Sequence, residues 1–283
     1  FGRRALVGHP RRAHDEFMAS DVLLPDSFYL DGGGTGVLCV HGLSATPSEM
    51  LPVAQAIHQH GHTVSGVRVA RHGTSIEDFA QSTWSEWVDS VDEALHGLKQ
   101  KTDQVFVVAQ SAGVLMSLHA LQNHDDIKDL VALAPALFLR TRLLPHSVWW
   151  RYLVKQMSFG ESDCLSEHGP SKVWAYKTLP TETAYQFHLL VKGARPLMET
   201  VDMPLLVAYG KHDKTVHPKA PQSLFDAASH DDKELLWLEN SAHMLTVDHE
   251  GDEIARRVAD WVHQRAVSTA GPTAADRIAA GDL

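Results

Sequence analysis

Three residues of types that together can open an acyl bond stand far apart in the chain: Ser111 in "VVAQSAGVLM" (107–116), Asp213 in "VAYGKHDKTVHP" and His243 in "LENSAHMLTVD". A serine hydroxyl is a weak nucleophile until a base takes its proton, and an imidazole does so best when a carboxylate holds its ring. Each residue also has an ordinary structural explanation. Ser111 can cap the helix that follows it, Asp213 can close a turn, and His243 is one of nineteen histidines. A serine in an A-x-S-x-G setting is therefore a weak signal by itself.

Context strengthens it. Ser111 ends an apolar strand-like run and precedes apolar residues at helical spacing. A sharp strand-to-helix turn of that kind lifts a hydroxyl clear of a sheet, and the small Ala109, Ala112 and Gly113 leave room for it. Asp213 and His243 likewise follow strand-like runs, and the order Ser, Asp, His is that of hydrolases built on a parallel sheet. Acyl transfer also puts a negative charge on the carbonyl oxygen, which needs N–H donors in a water-poor place. Two are expected: the amide of Ala112, just after the serine, and that of Leu43 in "HGLSATP".

Elements that would carry these loops alternate along the chain. "VLCV" after the "DGGGTG" turn (31–36), "TVSGVRV" (63–69), "QVFVVA" (104–109), "DLVALAPAL" (129–137), "PLLVAYG" (204–210) and "ELLWL" (234–238) read as buried strands. Helices are expected at 46–60, 83–98, 111–122, near 218–228 and near 250–265, the first with Pro47 early and Gly61 as its stop. Strand and helix in alternation imply an α/β fold with a doubly wound, mostly parallel sheet whose active loops lie at the carboxyl ends of the strands. The interval 138–203 breaks the alternation and reads as a helical insertion over that end, with "HSVWWRYLVKQM" and "TETAYQFHLLVKGA" as its helices. Residues 1–27 then form an N-terminal extension, 28–137 with 204–266 the core, 138–203 a cap, and 267–283 a disordered tail.

Composition excludes several partners. With 35 acidic and 25 basic residues the formal charge is −10, which opposes nucleic-acid phosphates and anionic membrane surfaces. No apolar run approaches the roughly 20 residues of a membrane span. Cys39 and Cys164 offer neither a disulfide framework nor a metal spacing. His58, His60 and His62 in "HQHGH" read as polar helix-end histidines, favoured there when protonated, and no metal or cofactor is expected. Arg3, Arg4, Arg11 and Arg12 are not followed by an apolar segment of signal-peptide type, so a cytoplasmic location is expected. Monomer and homodimer both stay open.

Together "GVLCVHGLSATPSEM", "VRVARHGTS", "VVAQSAGVLMSL", "LLVAYGKHDKTV" and "NSAHMLTVD" resemble the bacterial carboxylesterases and monoacylglycerol lipases of the α/β-hydrolase superfamily over about 28–265. The resemblance implies a serine esterase acting through an acyl-enzyme, with a lid over an acyl pocket. Its substrate would be a small ester of a short- to medium-chain acid, a monoacylglycerol among the options. Departures are Ala109, where the elbow usually has glycine, and Arg71, where a second glycine commonly precedes the histidine. His41, Trp149, Trp150, Met157 and Val216 are expected to contact substrate, although the apolar face of 149–157 could instead serve helix packing. Activity should fall as His243 protonates at mildly acidic pH. The same triad serves thioesterases and carbon–carbon hydrolases, and a ligand-binding protein with an inert site is the alternative outside enzymes.

Overall fold

The structure, a computed structural model, describes residues 25–158 and 162–270. Most of the expected N-terminal extension, and the expected tail from 271 onward, lie outside the described residues. Seven strands form one sheet in the order β1-β3-β2-β4-β5-β8-β9: β1 (Phe28–Leu30), β2 (Gly33–Val40), β3 (His62–Val67), β4 (Gln104–Gln110), β5 (Leu130–Leu133), β8 (Leu205–Gly210) and β9 (Lys233–Leu238). Every pairing is parallel except that of β1 with β3. A separate two-stranded ribbon joins β6 (Gln156–Ser158) to β7 (Thr178–Pro180).

Side chains alternate across a strand, so a sheet covered on both faces needs apolar residues at every position. Here the alternation divides the strands between two cores. Leu38, Val40, Val107, Ala109, Ala132, Val207 and Tyr209 face the first, closed by α3 (Trp84–Lys99), α4 (Ala112–Ala120), α6 (Thr181–Ala194) and α7 (Lys219–Ala227). Val37, Cys39, Phe106, Val108, Val131, Leu206 and Ala208 face the second, closed by α1 (Leu51–Gln59) and α8 (Gly251–Ala270). Short helices α2 (Ile76–Phe79) and α5 (Ser147–Trp150) complete the set. Thr83 and Glu86 start α3 by exchanging hydrogen bonds between side chain and backbone N–H, which satisfies two donors the first turn leaves free.

Several expected boundaries move, each for a local reason. β2 begins at Gly33, inside the expected turn, because its pairing with β3 slips between Gly33 and Gly36, a bulge that glycine tolerates. β5 stops at Leu133, since Ala134 takes φ 45° and Pro135 cannot donate to a ladder. α8 runs past the expected start of the tail to Ala270; Ala266 is buried in the second core, and Ser268 bonds back to Gln264 O.

The insertion differs most. α6 forms as expected, but "HSVWWRYLVKQM" is not one helix: α5 is a single turn, and the chain straightens into β6. That stretch is dense in β-branched and aromatic residues, which favour extended backbone once a partner strand is available. Its expected helical face is therefore absent, and Trp149 (71% exposed) and Leu153 (82%) point to solvent. Of the histidines of "HQHGH", His58 lies in the last turn of α1 and His60 caps it, as expected, but His62 departs from expectation. His62 is buried, with Nε2 3.2 Å from Nδ1 of His263 on α8 and His60 stacked on His263. Burial, then the neighbouring His263 and His60, lowers the His62 pKa to about 4, so it is a neutral packing residue and not a protonated helix end.

Candidate active site

Four non-glycine residues have positive φ: Ser44 (63°), Arg71 (61°), Ser111 (54°) and Ala134 (45°). Among the described residues these lie in the loops leaving the carboxyl ends of β2, β3, β4 and β5, four adjacent strands of the sheet. Strained backbone costs on the order of 1–3 kcal/mol per residue and persists only where surroundings enforce it. Arg71 at φ 61° also accounts for the glycine commonly found there. Here the arginine is held by Asp78 at 2.6 Å and Glu86 at 3.2 Å, pinning the loop to α2 and α3.

Ser111 sits in a turn fixed from both sides: its N–H donates to Leu133 O (2.8 Å) and its carbonyl accepts from Ala136 N (3.3 Å). α4 begins at the next residue. Gly113 lets the helix start close against β2, because a Cβ there would lie 2.5 Å from Val40 O and 2.6 Å from His41 O. The serine makes no side-chain cap to its helix. Its Oγ lies 2.9 Å from His243 Nε2.

On its other side, His243 Nδ1 lies 2.8 Å from Asp213 Oδ2. The carboxylate can only accept, so Nδ1 carries a proton, and whenever the ring is neutral Nε2 is bare and can accept from the Ser111 hydroxyl. Asp213 Oδ1 accepts from the N–H groups of Thr215 (2.8 Å) and Val216 (2.7 Å), and Arg140 Nε donates to its carbonyl (2.8 Å). The aspartate and histidine loops touch where β8 ends, since a Cβ on Gly210 would fall 2.4 Å from Ser241 O. Burial by itself lowers the His243 pKa, but the Asp213 carboxylate, with Asp163 and Glu49 beyond it, raises it to about 9. The ring thus holds a proton at higher pH than the mildly acidic range expected from sequence.

The Leu43 and Ala112 amides stand at the carboxyl ends of adjacent strands β2 and β4, and among the described residues neither N–H donates to another backbone group. Other expected contacts are reassigned. His41 is wholly buried; its Nε2 accepts from Val69 N (3.2 Å) and its Nδ1 donates to Gly42 O (2.8 Å), so neither ring nitrogen is free for a ligand. Burial lowers its pKa to about 4, which keeps that tautomer neutral. Val216 packs in the first core and serves Asp213 through its backbone, with its carbonyl accepting from Tyr209 OH at 2.8 Å. Trp149 and Trp150 are among the exposed apolar residues. Met157 does turn inward, against a cluster of Phe79, Leu179 and Ala184 that Leu43 and Tyr176 also join.

Sequence reasoning missed several groups here. Asp163, in the insertion, accepts from Lys214 N (2.8 Å) and Thr215 Oγ1 (2.7 Å), and its carbonyl accepts from His243 N (3.0 Å). Asp248 collects the N–H groups of Ala242, Leu165, Ser166 and His249. Although burial opposes it, these donors hold its carboxyl below the usual range. The insertion also crosses the loop after β2: Tyr176 N donates to Ser44 O and Trp174 N to Ser48 Oγ. No composition or spacing signal marks such long-range partners.

A histidine hydrogen-bonded to a serine hydroxyl at one end and to a buried carboxylate at the other can take the serine's proton while the carboxylate holds the ring and stabilises the imidazolium, and the neighbouring strand ends supply N–H donors. Among the described residues no group of three or more His, Cys, Asp or Glu could hold a metal ion, and no helix is long and apolar enough to cross a membrane. A thermostable monoacylglycerol lipase of Bacillus sp. (strain H-257) is 30% identical over 241 residues, 85% of this chain and 95% of the relative. A carboxylesterase of Bacillus subtilis (strain 168) is 21% identical over 245 residues, 86% of this chain and 98% of that one. A solved structure from work on the metagenome-derived lipolytic enzymes LipS and LipT superposes with TM-score 0.81 at 26% identity, covering 86% of this chain and 99% of its own. The family described as serine aminopeptidase, S33, matches residues 35–250. With most of its length matched in this way, the chain belongs to that family of serine hydrolases and has the α/β-hydrolase fold.

Proposed function

We propose that the protein is a serine carboxylesterase that hydrolyses esters of short- to medium-chain acids, monoacylglycerols among them. The observation that carries this reading is the hydrogen-bonded line from Ser111 Oγ through His243 to Asp213. The names of the two Bacillus relatives support an ester over an amide. In the first half-reaction Ser111 Oγ attacks the ester carbonyl while His243 Nε2 takes its proton. The oxygen that becomes negative is met by the Leu43 and Ala112 N–H groups. Collapse of the tetrahedral species breaks the bond to the alcohol, which leaves with the proton from Nε2. Water then gives a proton to His243, attacks the acyl-enzyme, and releases the acid and the Ser111 hydroxyl.

Residues 138–203 act as a cap in this reading, supported by the contacts of Trp174 and Tyr176 with the loop after β2. Met157, Leu43 and Phe79 then supply part of an apolar wall for the acyl chain. The test is a chain-length series of p-nitrophenyl esters and monoacylglycerols, with aminoacyl p-nitroanilides as the peptidase control, run beside Ser111→Ala. Esters turned over by the parent, and a loss of about three orders of magnitude or more in the variant, are expected. Faster turnover of the anilides, or full activity in Ser111→Ala, would overturn the reading.

A further inference from the structure

Beneath the loop after β2 lies a buried acid that the mechanism above does not use. Glu49 belongs to the single turn Pro47–Met50 ahead of α1 and is 5% exposed. Its Oε2 accepts from Gly42 N at 2.8 Å, and its Oε1 accepts from Gln110 Nε2 at 2.9 Å. Those two donors are not arbitrary neighbours. Gly42 immediately precedes Leu43, and Gln110 immediately precedes Ser111. One side chain thus spans the loops that carry the two expected oxyanion donors. The contact is close on all sides, since a Cβ on Gly42 would lie 3.2 Å from Ser111 Cβ and 3.3 Å from Glu49 Oε2.

A carboxyl group taken out of water is costly unless bonded, so its retention at this place asks for a reason. No arginine or lysine bonds to it among the described residues. The titratable group that acts on it is His243, on which Asp213 and Asp163 also act; the neutral, buried His41 immediately precedes Gly42 in the chain. We propose that Glu49 is a positioning residue of the ester-hydrolysing site: it ties the loop after β2 to the serine turn and so sets the spacing of the Leu43 and Ala112 N–H groups. Burial raises the Glu49 pKa, while the Gly42 N–H, His243 and Gln110 oppose that rise. The same coupling appears on the histidine, where Glu49 is among the groups that raise it.

This inference rests on Ser111, His243 and Asp213 acting as proposed, and two variants separate its parts. Glu49→Gln keeps the shape. Its carbonyl can still accept from Gly42, and its amide can donate to Gln110 Oε1, which lacks a partner in the present arrangement, once the Gln110 amide turns over to present that oxygen. The tie survives. Glu49→Ala removes both bonds. Full pH profiles of kcat and KM on a p-nitrophenyl ester are measured for parent, both variants and Ser111→Ala, with thermal unfolding to confirm folding. Glu49→Ala is expected to lose about 100-fold in kcat with KM nearly unchanged, as when one oxyanion donor is misplaced. Glu49→Gln, which keeps the tie, is expected to restore most of the parent kcat, and such a rescue with KM nearly constant throughout is a pattern that a residue serving stability alone would not produce. Parent-like kcat in folded Glu49→Ala, or a folded Glu49→Gln as slow as Glu49→Ala, overturns the inference; should Glu49→Ala not fold, Glu49→Asp, whose shorter side chain cannot hold both loops, takes its place, and a parent-like kcat there overturns the inference equally. An active Ser111→Ala would instead overturn the site itself, so the two failures are distinct.

Discussion

Gly113→Ala puts the geometry of the serine turn to a quantitative test. Gly113 is the second residue of α4, and its φ lies outside the left-handed region, so an alanine meets no backbone objection and any effect is steric. The added Cβ would sit 2.5 Å from Val40 O, 2.6 Å from His41 O and 3.0 Å from Val40 C, all backbone atoms of β2 and its exit. Ordinary contact begins near 3.4 Å, so α4 and β2 must part by about 0.9 Å. Forced overpacking of this kind costs about 1–3 kcal/mol. The two expected oxyanion donors lie on opposite sides of that gap, Ala112 on α4 and Leu43 beyond β2, so opening it separates them. Misplacement by about 1 Å costs on the order of 100-fold in rate. The assay is kcat and KM on a p-nitrophenyl ester together with thermal unfolding: Tm should fall by several degrees, and kcat should fall far more than KM rises. A variant matching the parent in both Tm and kcat would refute the close approach on which the site is built.

Three further outcomes follow from particular groups. Because His243 must be neutral to accept the serine proton and its pKa is raised to about 9, kcat/KM should climb with pH from 6.5 toward 9; a profile flat from pH 5 to 9 contradicts this. His41, His62 and His72 are buried with pKa values lowered to about 4, 4 and 3, so the stability they confer is present above 6.5, where unfolded histidine is also neutral, and is lost as pH falls through 4. Urea unfolding at pH 7, 5.5 and 4.5 should show stability declining across that range, and constant stability would count against the assignment. Tyr209→Phe leaves the buried Val216 carbonyl without its 2.8 Å donor, which should cost about 1–3 kcal/mol in denaturant unfolding and slacken the turn that orients Asp213; no change in stability would contradict that role.

How much of this was legible in the sequence depended on range. The central strands could be read because a doubly covered sheet demands unbroken apolar runs, and "VLCV" and "QVFVVA" have no other economical use. That Ser111, Asp213 and His243 would meet at one end of the sheet could be read because chain order and strand-end position constrain them jointly, although no one of them was convincing alone. Edge strand β1 was missed because three residues carry no periodicity. The insertion was misread between 145 and 157 because an apolar run there suits a helix or a strand equally, and its pairing partner lies more than twenty residues away in β7. His41 and Val216 were placed against substrate because nearness in sequence to a reactive loop was visible, while the direction of the side chain was not. Glu49, Asp163 and Asp248 went unnoticed for a related reason. Acidic residues are ordinarily solvated, and only the packed chain shows these bonded to the loops of the site.

The account stands or falls on Ser111 being the atom that attacks. Incubation with an alkyl fluorophosphonate, followed by peptide mass spectrometry, tests this most directly, because the reagent phosphonylates a serine only where a base and oxyanion donors activate it. One phosphonyl group per chain on the peptide containing Ser111, with ester turnover lost in proportion to labelling and no adduct in Ser111→Ala, is the predicted result. Stoichiometric loss of activity with the adduct on another residue, or full turnover by a chain labelled at Ser111, would contradict it.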